Sequence, residues 1–271
     1  MFSVVTPLYN KALSIGNTIQ SVLDQNFSDF ELLIVNDGST DDSIKIVKKF
    51  TDPRIRLINQ SNQGVSSARN TGIKEARHDW IAFLDADDLW RVDHLHNLAY
   101  LINEYPDDKV FCTSYIKSND TFPICQNNSI VLIDNYFKEV LKENFFWTSV
   151  VCLHNSVFRN VGQFDTRLSR GEDMELWTRI ARKYRIVRSN KVTAIYRTEA
   201  ENRSNLFFNL KKSRVYLYDF KTSINNYETI YYKQYIVKVL RGLLKNRDIA
   251  SFFKLWMRHL KYIKLYDIIK R

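Results

Sequence analysis

Along the first 90 residues, short β-branched runs alternate with stretches whose apolar residues fall at helical spacing. Ser3-Val4-Val5-Thr6, Glu31 to Val35, Arg54 to Ile58 and Trp80 to Leu84 predict strands. Between them, Leu13, Ile15, Ile19, Val22 and Leu23 predict one helix, and Ile44, Ile46, Val47 and Phe50 a second over Ser43 to Phe50, with Asp41 or Asp42 as its N-cap. Strand–helix–strand alternation at this length implies an α/β fold, with a mostly parallel central sheet flanked by helices. Three of the strands run into polar clusters: Thr6-Pro7 with Tyr9-Asn10, Asn36-Asp37-Gly38-Ser39, and Asp85-Ala86-Asp87-Asp88. Each alone is ordinary turn chemistry. If the strands are parallel, all three share one rim, where open α/β sheets bind their ligands.

Composition adds little until charge is mapped along the chain. The 271 residues are 45% hydrophobic and 14% aromatic, enough for a sizeable core, and 7 Gly and 4 Pro argue against long flexible linkers. Cys112, Cys125 and Cys152 fit neither a disulfide framework nor a zinc site, and are expected to be reduced packing residues. The opening MFSVVTPLYN is strand-like, without the basic start of a signal peptide, and no apolar run is long enough to span a bilayer. The expected location is therefore the cytoplasm or the inner face of the cell membrane. The net charge of +10 is concentrated: from Asn205 onward 15 Lys and Arg stand against 4 Asp and Glu. This divides the chain into residues 1–204 and a basic tail, 205–271.

Two acidic segments carry candidate chemistry. Asp85 and Asp87, spaced D-x-D after an apolar run, suit a hard divalent cation such as Mg²⁺ or Mn²⁺, because residues i and i+2 of a strand point the same way. Asp87 or Asp88 could instead cap a helix starting near Arg91 or Asp93. Glu172 and Asp173 open a stretch with helical spacing (Leu176, Ile180, Tyr184), where acids also suit the helix dipole without any catalysis. There is no G-x-G-x-x-G and no G-x-x-x-x-G-K, so phosphates would have to be held by a metal or by Lys and Arg.

Five segments in order, VVTPLYNKALSIGNTIQSVLDQ, LLIVNDGSTDDS, NQGVSSARNTGI, WIAFLDADDLW and GEDMELWTRI, resemble the inverting nucleotide-sugar glycosyltransferases of family 2, over roughly residues 1–200. The resemblance implies a GT-A type fold, with residues 1–90 binding the nucleotide sugar and 91–204 the acceptor. It implies that Thr6, Pro7 and Tyr9 line the nucleotide pocket and that Asp37 reads the uracil edge. Arg69 would lie close to the donor, Asp85 and Ala86 would face the ribose and the surroundings of the metal, and Asp87 would ligate Mn²⁺ or Mg²⁺. Asp173 would be the general base, with Glu172 and Trp177 on the acceptor side. The donor would be a UDP-sugar and the product a β-linked saccharide in bacterial surface polysaccharide or glycolipid synthesis. One departure stands out. Many relatives carry a histidine that can complete the metal shell in the segment that here reads IYRTEAENRSN, and this chain has none between His154 and His259. Glu199, Glu201, Asn202 or water would substitute, and Arg197 and Arg203 are candidate diphosphate contacts.

In the tail, Phe253, Trp256, Met257, Leu260 and Ile263 fall on one helical face, with Lys254, Arg258, Lys261 and Lys264 beside it. A cationic amphipathic helix of this kind lies in anionic membrane surfaces, which would make the acceptor lipid-linked. The same face could pack on the catalytic domain or pair with a second copy in a homo-oligomer. No motif supports nucleic acid. Among rival functions, a D-x-D phosphohydrolase would need its acids on the first strand and a sugar-nucleotide pyrophosphorylase a glycine-rich opening loop. A degenerate transferase serving as a binding subunit would not need Asp37, Asp85, Asp87 and Asp173 together.

Overall fold

The four β-branched runs become β1 (Phe2–Leu8), β2 (Phe30–Asp37), β3 (Ile55–Gln60) and β4 (Trp80–Phe83) in a computed structural model that describes residues 1–121, 128–201 and 209–269. They pair in parallel in the order β3-β2-β1-β4, with Leu8 opposite Asn36, Asp37 opposite Gln60, and Val5 opposite Phe83. Every residue of β1 and β2 is buried, as expected of a parallel sheet covered on both faces. Their carboxyl ends do share one rim.

Beyond this half the sheet becomes mixed. β5 (Leu89–Trp90), β6 (Val110–Lys117), β7 (Ile130–Ile133), β8 (Val151–His154) and β9 (Ile186–Tyr196) extend it to the order β3-β2-β1-β4-β8-β6-β9-β5, with β7 also on β9. Of these later pairings only β6 with β9 is parallel.

Helices Ile15–Leu23, Ser43–Val47 and Val65–Glu75 follow β1, β2 and β3. Gly72 lets the third lie directly on the sheet, since a Cβ there would fall 2.3 Å from Cγ1 of Val5. Of the two expected caps, Asp41 is the one whose side chain accepts from Ser43 N–H, at 3.0 Å. Neither Asp87 nor Asp88 caps the helix His94–Glu104, where Asp93 takes the cap position. Cys112 and Cys152 lie buried on neighbouring strands, and burial pushes Cys112 up to about 12 and Cys152 well above the usual thiol range. Both are inert packing residues; Cys125 lies outside the described residues.

The tail packs on the catalytic part, one of the alternatives its pattern left open. Val215, Tyr218, Tyr232, Ile236, Leu240 and Leu255 belong to the same continuous core as the sheet. The Tyr232 and Thr178 hydroxyls are 2.8 Å apart, and Arg182 pairs with the fully buried Glu228. The expected apolar face of the helix Ile249–His259 divides. Its core side is Phe252, Leu255 and His259, Ile263 beyond it is buried, and Trp256 donates its Nε1–H to Ile263 O. Phe253, Met257 and Leu260 remain exposed, at 51%, 61% and 39%. The periodicity had merged two faces because this helix is apolar on both. Among the described residues no helix is long and apolar enough to cross a membrane.

Candidate active site

The rim formed by β1, β2 and β4 borders a cavity of about 510 Å³, closed on its far side by Trp147, Tyr196 and residues 168–173. A hollow of about 600 Å³ on the tail, lined by Lys233, Lys238, Arg241 and Asp267, brings no acids together, which places the candidate chemistry at the rim.

Asp37 ends β2 at the cavity wall. Its Oδ1 accepts from Gln60 Nε2 at 2.7 Å and Gln63 N at 2.9 Å, and its Oδ2 from Gly64 N at 2.8 Å. A carboxylate has about four acceptor positions, so three hold the loop and one remains, on Oδ2, for an N–H from a ligand. Pro7 and Tyr9 line the same wall, as expected, whereas Thr6 is buried behind it with its hydroxyl unpartnered.

The acids after β4 stand in a turn, not in a strand, closed by Asp88 N–H on Asp85 O at 3.0 Å. The turn presents Asp85, Ala86 and Asp87 to the cavity. Asp88 turns away and accepts from Ser149 Oγ at 2.5 Å, Arg197 N at 3.1 Å and Trp147 Nε1 at 3.3 Å. Burial, reinforced by Asp85 and Asp87, still pushes Asp88 up to about 7. Burial and Asp85 also raise Asp87 above the ordinary carboxylate range, against the pull of Lys11.

Two cations answer the question these clustered acids raise. Lys11 Nζ sits 2.7 Å from Asp87 Oδ2, and buried Arg69 bridges Asp85 Oδ1 at 2.7 Å and Glu172 Oε1 at 2.9 Å. Burial works against the charge on Arg69, but Asp85, Glu172 and Asp173 outweigh it and hold the guanidinium protonated.

On the opposite wall the helix Glu172–Ala181 starts at the cavity, and Asp173 lies in its first turn with Oδ1 accepting its neighbour's Met174 N–H at 2.7 Å. Burial and the adjacent Glu172 push Asp173 up to about 6, against Arg69, the Met174 N–H and Arg214. A carboxylate tuned upward at a cavity wall has the properties of a general base.

Several expected site residues lie elsewhere. Trp177 is fully buried in edge contact with Phe146 and Phe164, so it faces the core and not an acceptor. Glu199 accepts from Ser118 Oγ and pairs with Arg197 Nε at 3.2 Å, and neither residue lines the cavity. Glu201 accepts from the N–H groups of Leu13 and Ser14 at 2.9 and 3.0 Å, so its carboxylate ties down the turn leading into the helix Ile15–Leu23. Arg203 and Asn202 lie outside the described residues.

Among the described residues, no group of three His, Cys, Asp or Glu forms a metal shell. Asp85 and Asp87 nevertheless each keep one oxygen beyond the one spent on Arg69 or Lys11. Two carboxylates facing a cavity fit Mg²⁺ or Mn²⁺, whose remaining positions are filled by phosphates and water.

The profile described as Glycosyl transferase family 2 matches residues 3–161, more than half of the sequence. The chain belongs to glycosyltransferase family 2. An uncharacterized glycosyltransferase of Rickettsia felis is 36% identical over 186 residues, 67% of this family 2 chain and 30% of that protein. The uncharacterized glycosyltransferase EpsJ of Bacillus subtilis is 41% identical over 122 residues, 44% and 36% of the two chains. A further relative, 36% identical over 115 residues (39% and 46%), is the UDP-Glc:alpha-D-GlcNAc-diphosphoundecaprenol beta-1,3-glucosyltransferase WfgD of Escherichia coli. These matches span less than half the length of each relative. The crystal structure of S. aureus TarS 1-349 in complex with UDP-GlcNAc superposes with a TM-score of 0.67 at 18% identity, covering 100% of this chain and 76% of that one. The shared architecture is the GT-A fold.

The sequence reading of this family 2 chain missed Lys11, which directly follows the Tyr9-Asn10 cluster it had singled out. It also missed Trp147 and Tyr196, whose rings lie 4.6 Å apart at the cavity wall. An unexplained Trp in FFWTS was the available signal, but only the fold brings it beside the end of β9.

Proposed function

We propose that this family 2 chain is a metal-dependent, inverting transferase that moves a sugar from a UDP-sugar to a saccharide hydroxyl, forming a β-glycosidic bond in bacterial surface polysaccharide or glycolipid synthesis. The observation that carries the reading is the opposition, across one cavity, of Asp37, Asp85 and Asp87 on one wall and Asp173 on the other. The remaining acceptor position of Asp37 suits the N–H of a uracil ring, and Pro7 and Tyr9 flank it. Asp87 and Asp85 would hold the divalent cation, which when bound neutralises charge on the departing diphosphate. Lys11 and Arg69 pair with these acids and hold them in place in its absence.

Asp173 takes the proton of the acceptor hydroxyl as that oxygen bonds to the anomeric carbon. The bond from that carbon to the diphosphate oxygen breaks, its electron pair leaving with UDP. One displacement inverts the centre, so an α-linked donor gives a β-linked product. Trp147 and Tyr196 offer an aromatic wall for a sugar ring, the role expected of Trp177.

The relative named for a UDP-glucose donor and a diphosphoundecaprenol acceptor, and the UDP-GlcNAc complex of the structural neighbour, support a UDP donor and a lipid-linked acceptor. A peripheral position on the inner face of the membrane is supported by the tail, where Phe253, Met257 and Leu260 stand exposed beside Lys254, Arg258 and Lys261. The test is a screen of UDP-sugars for hydrolysis or transfer, with Mn²⁺ or Mg²⁺ and with chelator, in the presence of undecaprenyl-diphosphate saccharides. Metal-dependent turnover of one donor is expected. Absence of both turnover and UDP binding would overturn the reading, and UDP binding without turnover on any acceptor would favour a binding subunit.

A further inference from the structure

The segment leading into Asp173 is held from behind by the start of the tail. Ser169 N–H donates to Lys212 O at 2.9 Å, and Arg170 and Ser213 form a parallel bridge. Gly171 follows in the left-handed conformation, at φ 74°, where a Cβ would come within 2.9 Å of Arg214 Cδ and 3.2 Å of its Nε. Glycine is needed here twice, for the backbone conformation and for the approach of the arginine.

Arg214 is 3% exposed. Its guanidinium lies 4.0 Å from the centre of the Tyr235 ring and 5.5 and 5.6 Å from those of Tyr231 and Tyr232, and Nη2 donates to Tyr231 Oη at 3.1 Å. Nε and Nη1 have no partner, and among the described residues no carboxylate comes within 4.0 Å of it. Aromatic faces recover part of the cost of burying a cation, but an unpaired guanidinium in the interior is expensive to keep. A purely structural tail would be better served by an apolar side chain of similar length. What distinguishes the position is its packing against Gly171, two residues before Asp173.

We propose that Arg214 is a positioning residue for Asp173: it braces residues 169–171 from the tail and supplies the buried positive charge behind the carboxylate. This rests on reading Asp173 as the base. The tail is then part of the catalytic unit, because the tyrosines that hold Arg214 come from the helix Asn226–Lys245. The charged groups facing Asp173 are Glu172, Arg69 and Arg214. Tyr136 and Tyr231 also face it, but burial raises both above the usual phenol range, so neither titrates alongside it.

The test is a carboxyl ¹³C NMR titration of the full chain, with Asp173→Asn used to assign the signal; it needs no substrate. Replacing Arg214 by Met removes the charge and should raise the Asp173 midpoint by about half a pH unit or more. Arg214→Lys should leave it near the wild-type value. An unmoved midpoint in folded Arg214→Met, or an equal rise in Arg214→Lys, would overturn the proposal. If Arg214→Met does not fold, Tyr231→Phe loosens the guanidinium alone and should give a smaller rise; no rise there counts equally against it. Transfer activity retained by Asp173→Asn would instead refute the base assignment, leaving the titration result standing on its own.

Discussion

At the rim, Asp37 accepts from the backbone N–H groups of Gln63 and Gly64 and Asp173 from that of Met174, while Asp85 and Asp87 pair with Arg69 and Lys11. In the tail, cations are held by aromatic rings: Arg214 over Tyr235, Arg258 over Tyr216, Lys261 over Tyr262. Backbone donors are fixed by the path of the chain and present whatever the neighbouring side chains are. Ring contacts exist only while the packing that orients the rings persists. The rim is therefore pre-organised to receive a ligand, whereas the tail is a packed scaffold whose order depends on its own core.

The largest effect expected from testing this contrast is at the rim. Asp173→Asn should lower kcat about 10³-fold with UDP affinity unchanged, as measured by steady-state kinetics and calorimetry; a parallel loss of UDP binding would show that the two walls are not separable. Next comes the tail's core. Leu255→Ala should cost about 3 kcal/mol in urea unfolding, in one transition shared with the sheet; a separate early transition would show that the tail unfolds by itself.

The pH profile follows. In the proposed reaction Asp173 acts as a carboxylate, and burial raises it to about 6, so transfer should plateau above that pH and fall about tenfold per unit below it. A flat profile down to pH 5 would remove Asp173 from the rate. Smallest is Phe253→Glu, which should change stability by less than about 0.5 kcal/mol while weakening sedimentation with phosphatidylglycerol vesicles. Unchanged vesicle binding would leave the tail's role confined to packing.

The same contrast explains what the sequence could reveal. β1 to β4 were legible because each is a short β-branched run ending in a polar cluster, and because their parallel pairing puts those ends together whatever the side chains do. Asp37, Asp85 and Asp87 could be placed on one rim for the same reason, whereas Asp173, at the start of a helix, was implied only by the family resemblance. Trp177 was misplaced because a helical residue four positions beyond Asp173 points as readily to the core as to the cavity, and only packing decides. Glu199 and Glu201 were expected near a metal in place of the histidine that many relatives carry in this segment, yet each carboxylate is engaged by a nearby hydroxyl, Ser118 or Ser14. The exposed and buried sides of the helix Ile249–His259 could not be separated by period alone when both are apolar.

Arg69 joins an acid of one wall to an acid of the other, since one guanidinium holds both Asp85 and Glu172. A shared counter-ion makes the two halves of the cavity parts of one thermodynamic cycle. A ligand that drew Asp85 away would leave Glu172 to meet Arg69 alone, so ligands on the two walls would change each other's affinity by the same factor. The coupling would be the same whichever ligand arrived first, and it needs no moving part.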